Sequence, residues 1–171
     1  IDLTKKILGL NPHVVIQSNS FKIENDFEEI LKKKFKDINI SRTYSGEGIV
    51  VNNDNAKGII IKGVDTSNIK NLNILNQNIS SGNLKGFKKN TAFIGAELAF
   101  NLDLEVGDKI NLMSSSFIAT PFGGFPKQET LTISGIFRTG FYEFDQNFVF
   151  LNLLDALSIF DKEENDQNLE I

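Results

Sequence analysis

Apolar residues recur every three or four positions in the segment 27–38, and polar or charged residues fall between them. This spacing predicts an amphipathic helix, with the basic run Lys32–Lys34 on its solvated face. Asn25 or Asp26 can cap its start. The apolar face comprises Phe27, Ile30, Leu31, Phe35 and Ile38.

Two further helices are predicted from the same kind of spacing. A short one directly follows Gly95, and a final one follows Asn152, whose amide side chain suits a helix cap. Their apolar faces comprise Leu98, Ala99 and Leu102 in the short helix, and Leu153, Leu154, Leu157 and Phe160 in the final one.

Short runs rich in β-branched and aromatic residues predict strands. Turns rich in glycine and asparagine, at 45–47 and 52–55, separate the early strands, so the opening third follows the order β-α-β-β-β. Leu169–Ile171 is a candidate for a further strand. The other predicted strands are Pro12–Gln17, Ile40–Tyr44, Gly48–Val51, Gly58–Lys62, Thr91–Gly95, Lys109–Met113, Thr130–Phe137 and a stretch within Glu143–Phe150.

The apolar pattern changes near Val64–Asp65. The segment that follows, Thr66–Lys89, is rich in asparagine and weakly periodic, so we expect irregular structure with short strands at most. The change predicts a subdomain boundary between residues 64 and 65.

The segment Phe117–Pro126 joins two predicted strands and combines three phenylalanines, two prolines and a Gly-Gly pair without any charge. A long loop of this kind inside a compact domain is usually functional or disordered. Gly123 and Gly124 permit positive φ at the tip, while Pro121 and Pro126 fix φ at the shoulders. One interpretation is a stiff protruding hairpin that offers aromatic side chains to a partner. The other is a surface loop that folds its phenylalanines back into its own core.

The composition limits the class of protein. With 171 residues, 40% of them hydrophobic, the chain suits one domain or two small subdomains. Its net charge of −4 argues against nucleic acid as the main ligand, because phosphate binding needs clustered cations. The lack of cysteine excludes disulfide frameworks, iron–sulfur clusters and thiol catalysis. No apolar run reaches the roughly 18 residues of a spanning helix, and a start at Ile1 rather than Met suggests a piece of a longer protein.

The sequence offers no constellation for catalysis or cofactor binding. His13 is the single histidine, and without a partner it indicates a strand residue rather than a triad member or metal ligand. Ser114–Ser116 have no evident base and are expected to bond to turn backbone. Asp54 lies in an asparagine cluster that lacks the glycine and glutamate of a calcium loop. We therefore expect a domain that is not an enzyme and holds no metal or cofactor.

Three segments together resemble a known family. Ala92–Ala99 and Leu104–Leu112 are similar to a stretch of MacB-like periplasmic domains, which lie between the first two transmembrane helices of certain ABC-transporter subunits. Thr120–Gln128, followed by a strand that ends at Phe137, resembles the hook of lipoprotein-releasing subunits of the LolC and LolF type. The two prolines in that position are the most specific part, because the related LolE subunits lack them. The resemblance covers nearly the whole chain.

The resemblance implies an α+β fold of two parts. A βαβ-type Porter part is formed by the beginning and end of such a domain, and an inserted, mostly β Sabre part carries the hook as a protruding hairpin. Here residues 1–64 would be the first part of Porter, and residues 65–168 the Sabre part with its hook at 117–128. Residues 169–171 would start the returning Porter strand, whose remainder lies outside the chain.

The resemblance also implies a function for the chain. It would be the periplasmic domain of a bacterial inner-membrane protein, with no catalysis of its own. A separate cytoplasmic ATPase, LolD, would drive the membrane subunit together with a LolE-like subunit or a second copy. Outer-membrane lipoproteins would leave the inner membrane and pass to the periplasmic chaperone LolA, which the hook recruits. No nucleic acid partner is implied.

The family's partner-binding residues transfer to this chain one by one. Pro121 and Pro126 match the two hook prolines, and Gln128 matches a polar residue of the pad, the surface beside the hook that also touches the chaperone. The next pad position, basic in the family, is Glu129 here, and a third falls near Asn111, so this pad is less positive. The implied hook comprises Thr120, Pro121, Phe122, Gly123, Gly124, Phe125 and Pro126, with Phe122 and Phe125 as anchors, and the implied pad comprises Asn111, Gln128, Glu129 and a compensating Lys127.

Two other functions stay open at this point. The chain could be the mechanical domain of a MacB-type efflux or secretion exporter that contacts a periplasmic adaptor, although that branch lacks such a hook. It could also be a small-ligand-binding enzyme domain, which would need a deep polar pocket.

Overall fold

The computed structural model describes residues 12, 14–17, 25–36, 38–53, 55–67, 73–121 and 123–171. The described helices are α1 (Asn25–Lys34), α2 (Asn73–Asn78), α3 (Ala96–Asn101), α4 (Tyr142–Asn147) and α5 (Leu153–Ile159). The described strands are β1 (Val15–Ile16), β2 (Ser41–Asn52), β3 (Asn55–Val64), β4 (Ile79–Gly82), β5 (Thr91–Gly95), β6 (Lys109–Thr120), β7 (Gly123–Phe137), β8 (Phe148–Asn152) and β9 (Asn168–Glu170). Short 3₁₀ turns lie at Leu84–Gly86 and Glu164–Asp166.

Six of the strands close into a barrel. β2 pairs with β3, β3 with β8, β8 with β5, β5 with β7, and β7 with β6. β6 then pairs back with β2, from Gly48 opposite Ser114 to Val51 opposite Asn111, which completes the ring. Closure stabilises such a sheet because the backbone groups of each paired length find partners within it. β4 extends from β7, and β9 and then β1 extend from β2.

The barrel interior is filled by aliphatic side chains from every strand of the ring. Alternate positions of each strand face inward, as the period of two along a pleated strand requires. Full burial of such a side chain contributes about 1.5–3 kcal/mol. The contributors are Val50 from β2, Ile59 and Ile61 from β3, Ala92 and Ile94 from β5, Ile110 and Leu112 from β6, Leu131 and Ile133 from β7, and Val149 and Leu151 from β8, together with Leu98 and Ala99 from α3 and Ala156 and Ile159 from α5.

A second, aromatic core lies on the outside of the barrel wall. Phe93 of β5 and Phe150 of β8 alternate with inward-facing neighbours and therefore point outward. Phe87 meets Phe93 edge-on with ring centroids 5.3 Å apart, a favourable aromatic arrangement. This cluster absorbs much of the chain's phenylalanine and also includes Val64, Leu75, Phe137, Phe144 and Phe148.

β2 is one continuous strand, Ser41–Asn52, so the turn predicted at 45–47 is wrong. The glycines that suggested the turn serve close packing instead. A Cβ on Gly46 would approach the ring of Phe160 to 2.6 Å, and a Cβ on Gly48 would approach the carbonyl oxygen of Met113 to 2.7 Å. These positions need glycine because other groups press against the strand.

Two short helices lie where the sequence predicts none. α2 interrupts the segment predicted to be irregular, and its Leu75 is fully buried. α4 occupies the first part of the stretch predicted as a strand, so β8 begins only at Phe148. The buried carboxylate of Asp145 accepts hydrogen bonds from the backbone N–H groups of Thr139 (2.9 Å) and Gly140 (3.0 Å), which fixes the turn before α4. These tertiary contacts override the local propensity.

The two helices predicted after Gly95 and Asn152 are confirmed as α3 and α5. Asn152 Oδ1 accepts a hydrogen bond from the backbone N–H of Leu154 at 2.9 Å, so the predicted cap is present. Leu154 itself is 50% exposed, so its predicted place on the apolar face is wrong.

α1 confirms the first predicted helix, although it ends at Lys34. Leu31 packs on a small cluster formed by Ile40 and Leu169. Ile30 is 52% exposed and Phe27 is 36% exposed, so α1 buries only part of its predicted apolar face.

An ion pair attaches α1 to β2. Arg42 Nε donates to Glu28 Oε2 at 2.7 Å, and Lys32 bonds the other oxygen of the same carboxylate. Burial by itself would raise the pKa of Glu28, but the bonds from Lys32 and Arg42 outweigh burial and hold that pKa below its usual value.

The strand suggested at Leu169–Ile171 is present as β9, which pairs with Ser41–Thr43 of β2 and with β1. The strand predicted at 12–17 is shorter, since β1 spans Val15–Ile16. The predicted subdomain boundary between residues 64 and 65 stays a prediction. The strands β2 and β3, which precede residue 65, belong to the same ring as β5, β6, β7 and β8, which follow it. The predicted α+β class is confirmed.

Candidate functional site

β6 and β7 form one long hairpin whose far end is the hook, residues 117–128. The predicted strand limits at Met113 and Thr130 are wrong, because strand pairing continues to Thr120 and resumes at Gly123. The apolar segment is therefore a two-stranded ribbon with a two-residue connection rather than an open loop. Phe122, predicted as an anchor, lies outside the described residues, and so does the side chain of Thr120.

The described hook side chains are exposed to solvent. Phe117 is 69% exposed and Phe125 is 55% exposed, and Pro121 is exposed at the turn. Phe117 is paired with Pro126, and its Cβ lies 3.6 Å from the position that a Cβ on Gly124 would take, which places it on one face of the ribbon. Phe125 alternates with Pro126 and lies on the other face. For Phe117 and Phe125, the interpretation that they fold back into the core is wrong.

Register explains why the hook tolerates proline within a paired strand. The residues that flank a two-residue turn, here Thr120 and Gly123, form a hydrogen-bonded pair. Hydrogen-bonded and non-hydrogen-bonded pairs alternate along the ribbon, so Phe117 and Pro126 form a non-hydrogen-bonded pair. A backbone N–H at position 126 would point away from β6, so its absence in proline removes no hydrogen bond between the two strands. Gly123 has a φ of 118°, which side chains of L-residues rarely adopt.

A bulge in β6 marks the base of the hook. Between the pair Met113–Gln128 and the pair Phe117–Pro126, β6 has the residues Ser114–Ser116, whereas β7 has only Lys127. Ser114 Oγ accepts a hydrogen bond from the backbone N–H of Ser116 at 3.2 Å, so the predicted bonding to local backbone is confirmed for Ser114. For Ser116 it is wrong, because its hydroxyl bonds the carbonyl oxygen of Phe160, which is distant in the chain. Extra residues on one strand bend and twist the ribbon at this point.

Two predicted pad residues lie on the outer face of the barrel beside the hook. Asn111 is paired with Thr130, whose Oγ1 donates to Asn111 Oδ1 at 2.6 Å, and Gln128 is paired with Met113. Ile49 of β2 is paired with Met113 on its other side and is 45% exposed. We call these five residues the outer pad. It is uncharged and continues directly into the hook.

The other two predicted pad residues, Lys127 and Glu129, alternate with Gln128 and lie on the opposite face. Lys127 Nζ is 3.1 Å from Asp161 Oδ1, and Ser158 Oγ donates to Glu129 Oε1 at 3.4 Å. The structure therefore brings Asn111 and Gln128 together and separates Lys127 and Glu129 from them.

Phe117 and Ile49 have no counterpart among the predicted binding residues. Phe117 is the first residue of the uncharged apolar segment, and this position could have identified it as a binding residue from the sequence. Ile49 lies far away in sequence, and only the pairing of β2 with β6 brings it to Met113, so no local pattern identifies it.

An acidic residue of α5 has a perturbed pKa. Burial raises the pKa of Asp155 in α5, and the Glu129 carboxylate acts in the same direction. A hydrogen bond from the backbone N–H of Asn90, 2.6 Å long, and the charge of Lys89 act against this rise. The net direction is upward, because loss of hydration disfavours the charged form most.

Among the described residues, no group of three or more His, Cys, Asp and Glu side chains could hold a metal ion. The same part of the chain contains no helix long and apolar enough to cross a membrane. His13 and Asp54 lie outside the described residues.

No protein-family model matches the chain. The lipoprotein-releasing system transmembrane protein LolC of Neisseria meningitidis serogroup B is 23% identical over 169 residues, which cover 95% of this chain and 40% of that protein. LolC of Xylella fastidiosa strain Temecula1 is 35% identical over 66 residues, which cover 39% of this chain and 16% of that protein. The chain thus spans less than half the length of these curated relatives.

Two solved structures share the fold. The periplasmic region of MacB from Actinobacillus actinomycetemcomitans superposes with a TM-score of 0.60 at 11% identity. The superposition covers 99% of this chain and 77% of the MacB chain. The extracellular domain of the noncanonic ABC-type transporter YknZ from Gram-positive bacteria superposes with a TM-score of 0.60 at 13% identity. That superposition covers 92% of this chain and 83% of the YknZ chain. The chain has the MacB-like periplasmic fold and resembles LolC over almost its whole length, which confirms the resemblance found in the sequence.

Proposed function

We propose that the chain is the extracytoplasmic domain of the membrane subunit of an ABC transporter that releases outer-membrane lipoproteins from the inner membrane. In this proposal the hook recruits the periplasmic chaperone LolA, which then receives the lipoprotein. The hook carries the proposal, because it is a paired ribbon that exposes Phe117 and Phe125 in a chain similar to LolC.

The exposed aromatic side chains support a partner-binding role. Aromatic residues that enter a partner's pocket commonly dominate the binding energy of an interface. Phe117 and Phe125 lie on opposite faces of the ribbon, so a flat partner surface would reach only one of them. The hook therefore suits a concave partner that encloses the ribbon from both sides.

The backbone of the hook suits rapid and specific docking. Its strands are paired up to the turn, and Pro121 restricts φ in the turn while Pro126 restricts φ in β7. A segment that is ordered before binding loses little conformational entropy on docking, so more of the contact energy appears as affinity.

The outer pad predicts the character of the second contact. Its exposed members are amide, hydroxyl and aliphatic side chains, and Asn111 occupies a position where the resemblance implies a basic residue. Neutral contacts are weakly screened by salt, whereas contacts between exposed charges weaken as ionic strength rises. Binding to the chaperone is therefore expected to change little between low and physiological salt.

The remaining parts of the proposed transporter lie outside this chain. A cytoplasmic ATPase of the LolD type would move the membrane helices, and a LolE-like subunit or a second copy would complete the membrane part. The barrel would transmit that motion to the chaperone held at the hook.

Calorimetric titration of the chain with LolA from the same organism tests the proposal. A Pro121→Ala, Pro126→Ala double variant should lose measurable binding while its far-UV spectrum and unfolding midpoint stay unchanged. The matched control is Phe100→Ala, because Phe100 is 81% exposed but lies on α3, outside the hairpin.

Each outcome of the titration has a defined meaning. Binding by the unaltered chain and by Phe100→Ala, but not by the double variant, supports the proposal. No binding by the folded, unaltered chain contradicts it and favours the mechanical domain of a MacB-type exporter.

A further inference from the structure

We propose that Lys127 and Asp161, together with Ser116 and the carbonyl group of Phe160, position the hook relative to the barrel. The inference rests on the proposed function, since it concerns how the same hook is held for its partner. Ser116 Oγ donates to the carbonyl oxygen of Phe160 at 3.0 Å, and Lys127 Nζ lies 3.1 Å from Asp161 Oδ1. We call these two contacts the latch.

The latch sits where the hairpin is most able to bend. Ser116 and Lys127 both belong to the bulge that interrupts the pairing of β6 with β7. A bulge removes ladder hydrogen bonds and increases the local twist, so the pairing that orders the hook is interrupted at its base. One contact from each strand of the bulge therefore fixes the direction in which the hook leaves the barrel.

The anchor on the barrel side is rigid. Phe160 is 3% exposed and belongs to the barrel core, and its ring centroid lies 5.4 Å from that of Tyr44 in β2. Its carbonyl group is therefore a fixed acceptor for Ser116.

Asp161 ends α5 in a left-handed conformation. Its φ is 55°, and the backbone N–H of Lys162 bonds the carbonyl oxygen of Leu157 at 2.8 Å, while that of Asp161 bonds Ser158 at 3.1 Å. This is a Schellman motif, whose left-handed position normally holds glycine because a side chain is sterically unfavourable there. The Asp161 side chain is 75% exposed, and its carboxylate pairs with Lys127 in the bulge, so the same residue ends α5 and contacts the base of the hook.

Distance measurement by electron spin resonance tests the inference without the chaperone. The chain has no cysteine, so spin labels can be attached at Lys85→Cys in the 3₁₀ turn Leu84–Gly86 and at Phe125→Cys in the hook. The unaltered latch should give a narrow distance distribution, and Lys127→Arg should preserve it. Asp161→Asn, Asp161→Gly and Lys127→Gln should each lose the narrow distribution.

A second readout separates positioning from folding. Asp161→Gly relieves the left-handed conformation, so its unfolding midpoint should not fall, while its affinity for LolA should drop by about two- to fivefold, as expected for a partly exposed ion pair. Asp161 lies outside the hook and the pad, so this loss is not the loss of a direct contact.

Two results would overturn the inference. One is an unchanged distance distribution in all three latch variants, and the other is a broadened distribution in Lys127→Arg equal to that in Lys127→Gln. Failure of the unaltered, folded chain to bind LolA would contradict the proposed function instead, because the distance distribution is measured without that partner.

Discussion

The hairpin of β6 and β7 has two regions that differ in burial: one lies in the barrel wall and the other is the hook. In the barrel wall Ile110, Leu112 and Leu131 are at most 2% exposed, whereas in the hook Phe117 and Phe125 are more than half exposed. In the wall, β2 and β5 flank the pair, while beyond the bulge no described strand does so. Pairing alone therefore makes a strand, and what flanks the pair decides whether its apolar side chains are buried.

The difference separates stability from binding. Substitutions in the wall should lower the free energy of unfolding, and substitutions in the hook should change binding without that cost.

The largest expected effect comes from the wall. Leu112→Ala should lower the free energy of unfolding by about 2–5 kcal/mol, because it leaves a cavity in a filled barrel. Urea denaturation followed by circular dichroism measures this change. A loss below about 1 kcal/mol would mean that the barrel interior is loosely packed.

A smaller effect is expected where the wall approaches its neighbours most closely. Gly48→Ala should cost about 1–3 kcal/mol, since its new Cβ would meet the backbone oxygen of Met113 at 2.7 Å. Gly58→Ala is the matched control in the adjacent strand, because no atom of the described residues lies within 4 Å of the position of its Cβ. Equal costs for the two variants in thermal unfolding would contradict the register assigned to β2, β3 and β6.

Asp155 of α5 should produce a small effect on stability that depends on pH. The pKa of Asp155 is raised in the folded state, so its protonated form favours folding. Its contribution to the free energy of unfolding is therefore complete below the unfolded-state pKa and is lost as pH rises through the folded-state pKa. Asp155→Asn keeps an acceptor for the Asn90 N–H and should be as stable as the unaltered chain at pH 7, or more stable by up to about 0.5 kcal/mol. Unfolding midpoints between pH 3 and pH 8 should show this advantage disappear on acidification, and an advantage that grows toward pH 3 would contradict the sign.

The smallest effect on stability is expected in the hook itself. Phe117→Ala should change the free energy of unfolding by no more than about 0.5 kcal/mol, because the side chain is 69% exposed. Denaturation under the conditions used for Leu112→Ala provides the direct comparison. A cost near that of Leu112→Ala would place Phe117 in the core and remove the distinction between the two regions.

The sequence predicts most of what depends on local pattern. The helix cap at Asn152 follows from residue types at short spacing. For the Phe117–Pro126 segment the residue types left protrusion and folding back both open, and the exposure of Phe117 and Phe125 decides between them. The turn predicted at 45–47 fails because Gly46 serves contact with Phe160, which lies far away in the chain. Glycine signals both turns and close packing, and only the tertiary structure distinguishes them.

The division of the pad is likewise invisible in a linear sequence. Gln128 and Glu129 are neighbours in the chain but lie on opposite faces, and the partner of each is set by register. Ile49 joins Gln128 through Met113, which requires the ring of strands to be known. Closure of the barrel is the non-local fact on which the outer pad depends.

The most direct test of partner binding by the hook is the affinity of LolA for Phe125→Ala compared with Phe100→Ala, measured by calorimetry alongside the unfolding of both variants. We expect Phe125→Ala to weaken binding at least tenfold, which corresponds to a loss of about 1.4 kcal/mol or more at an anchor residue, while Phe100→Ala binds like the unaltered chain and both remain equally stable. Equal affinity of the two variants for LolA would contradict the claim that the hook is the partner-binding part of the molecule.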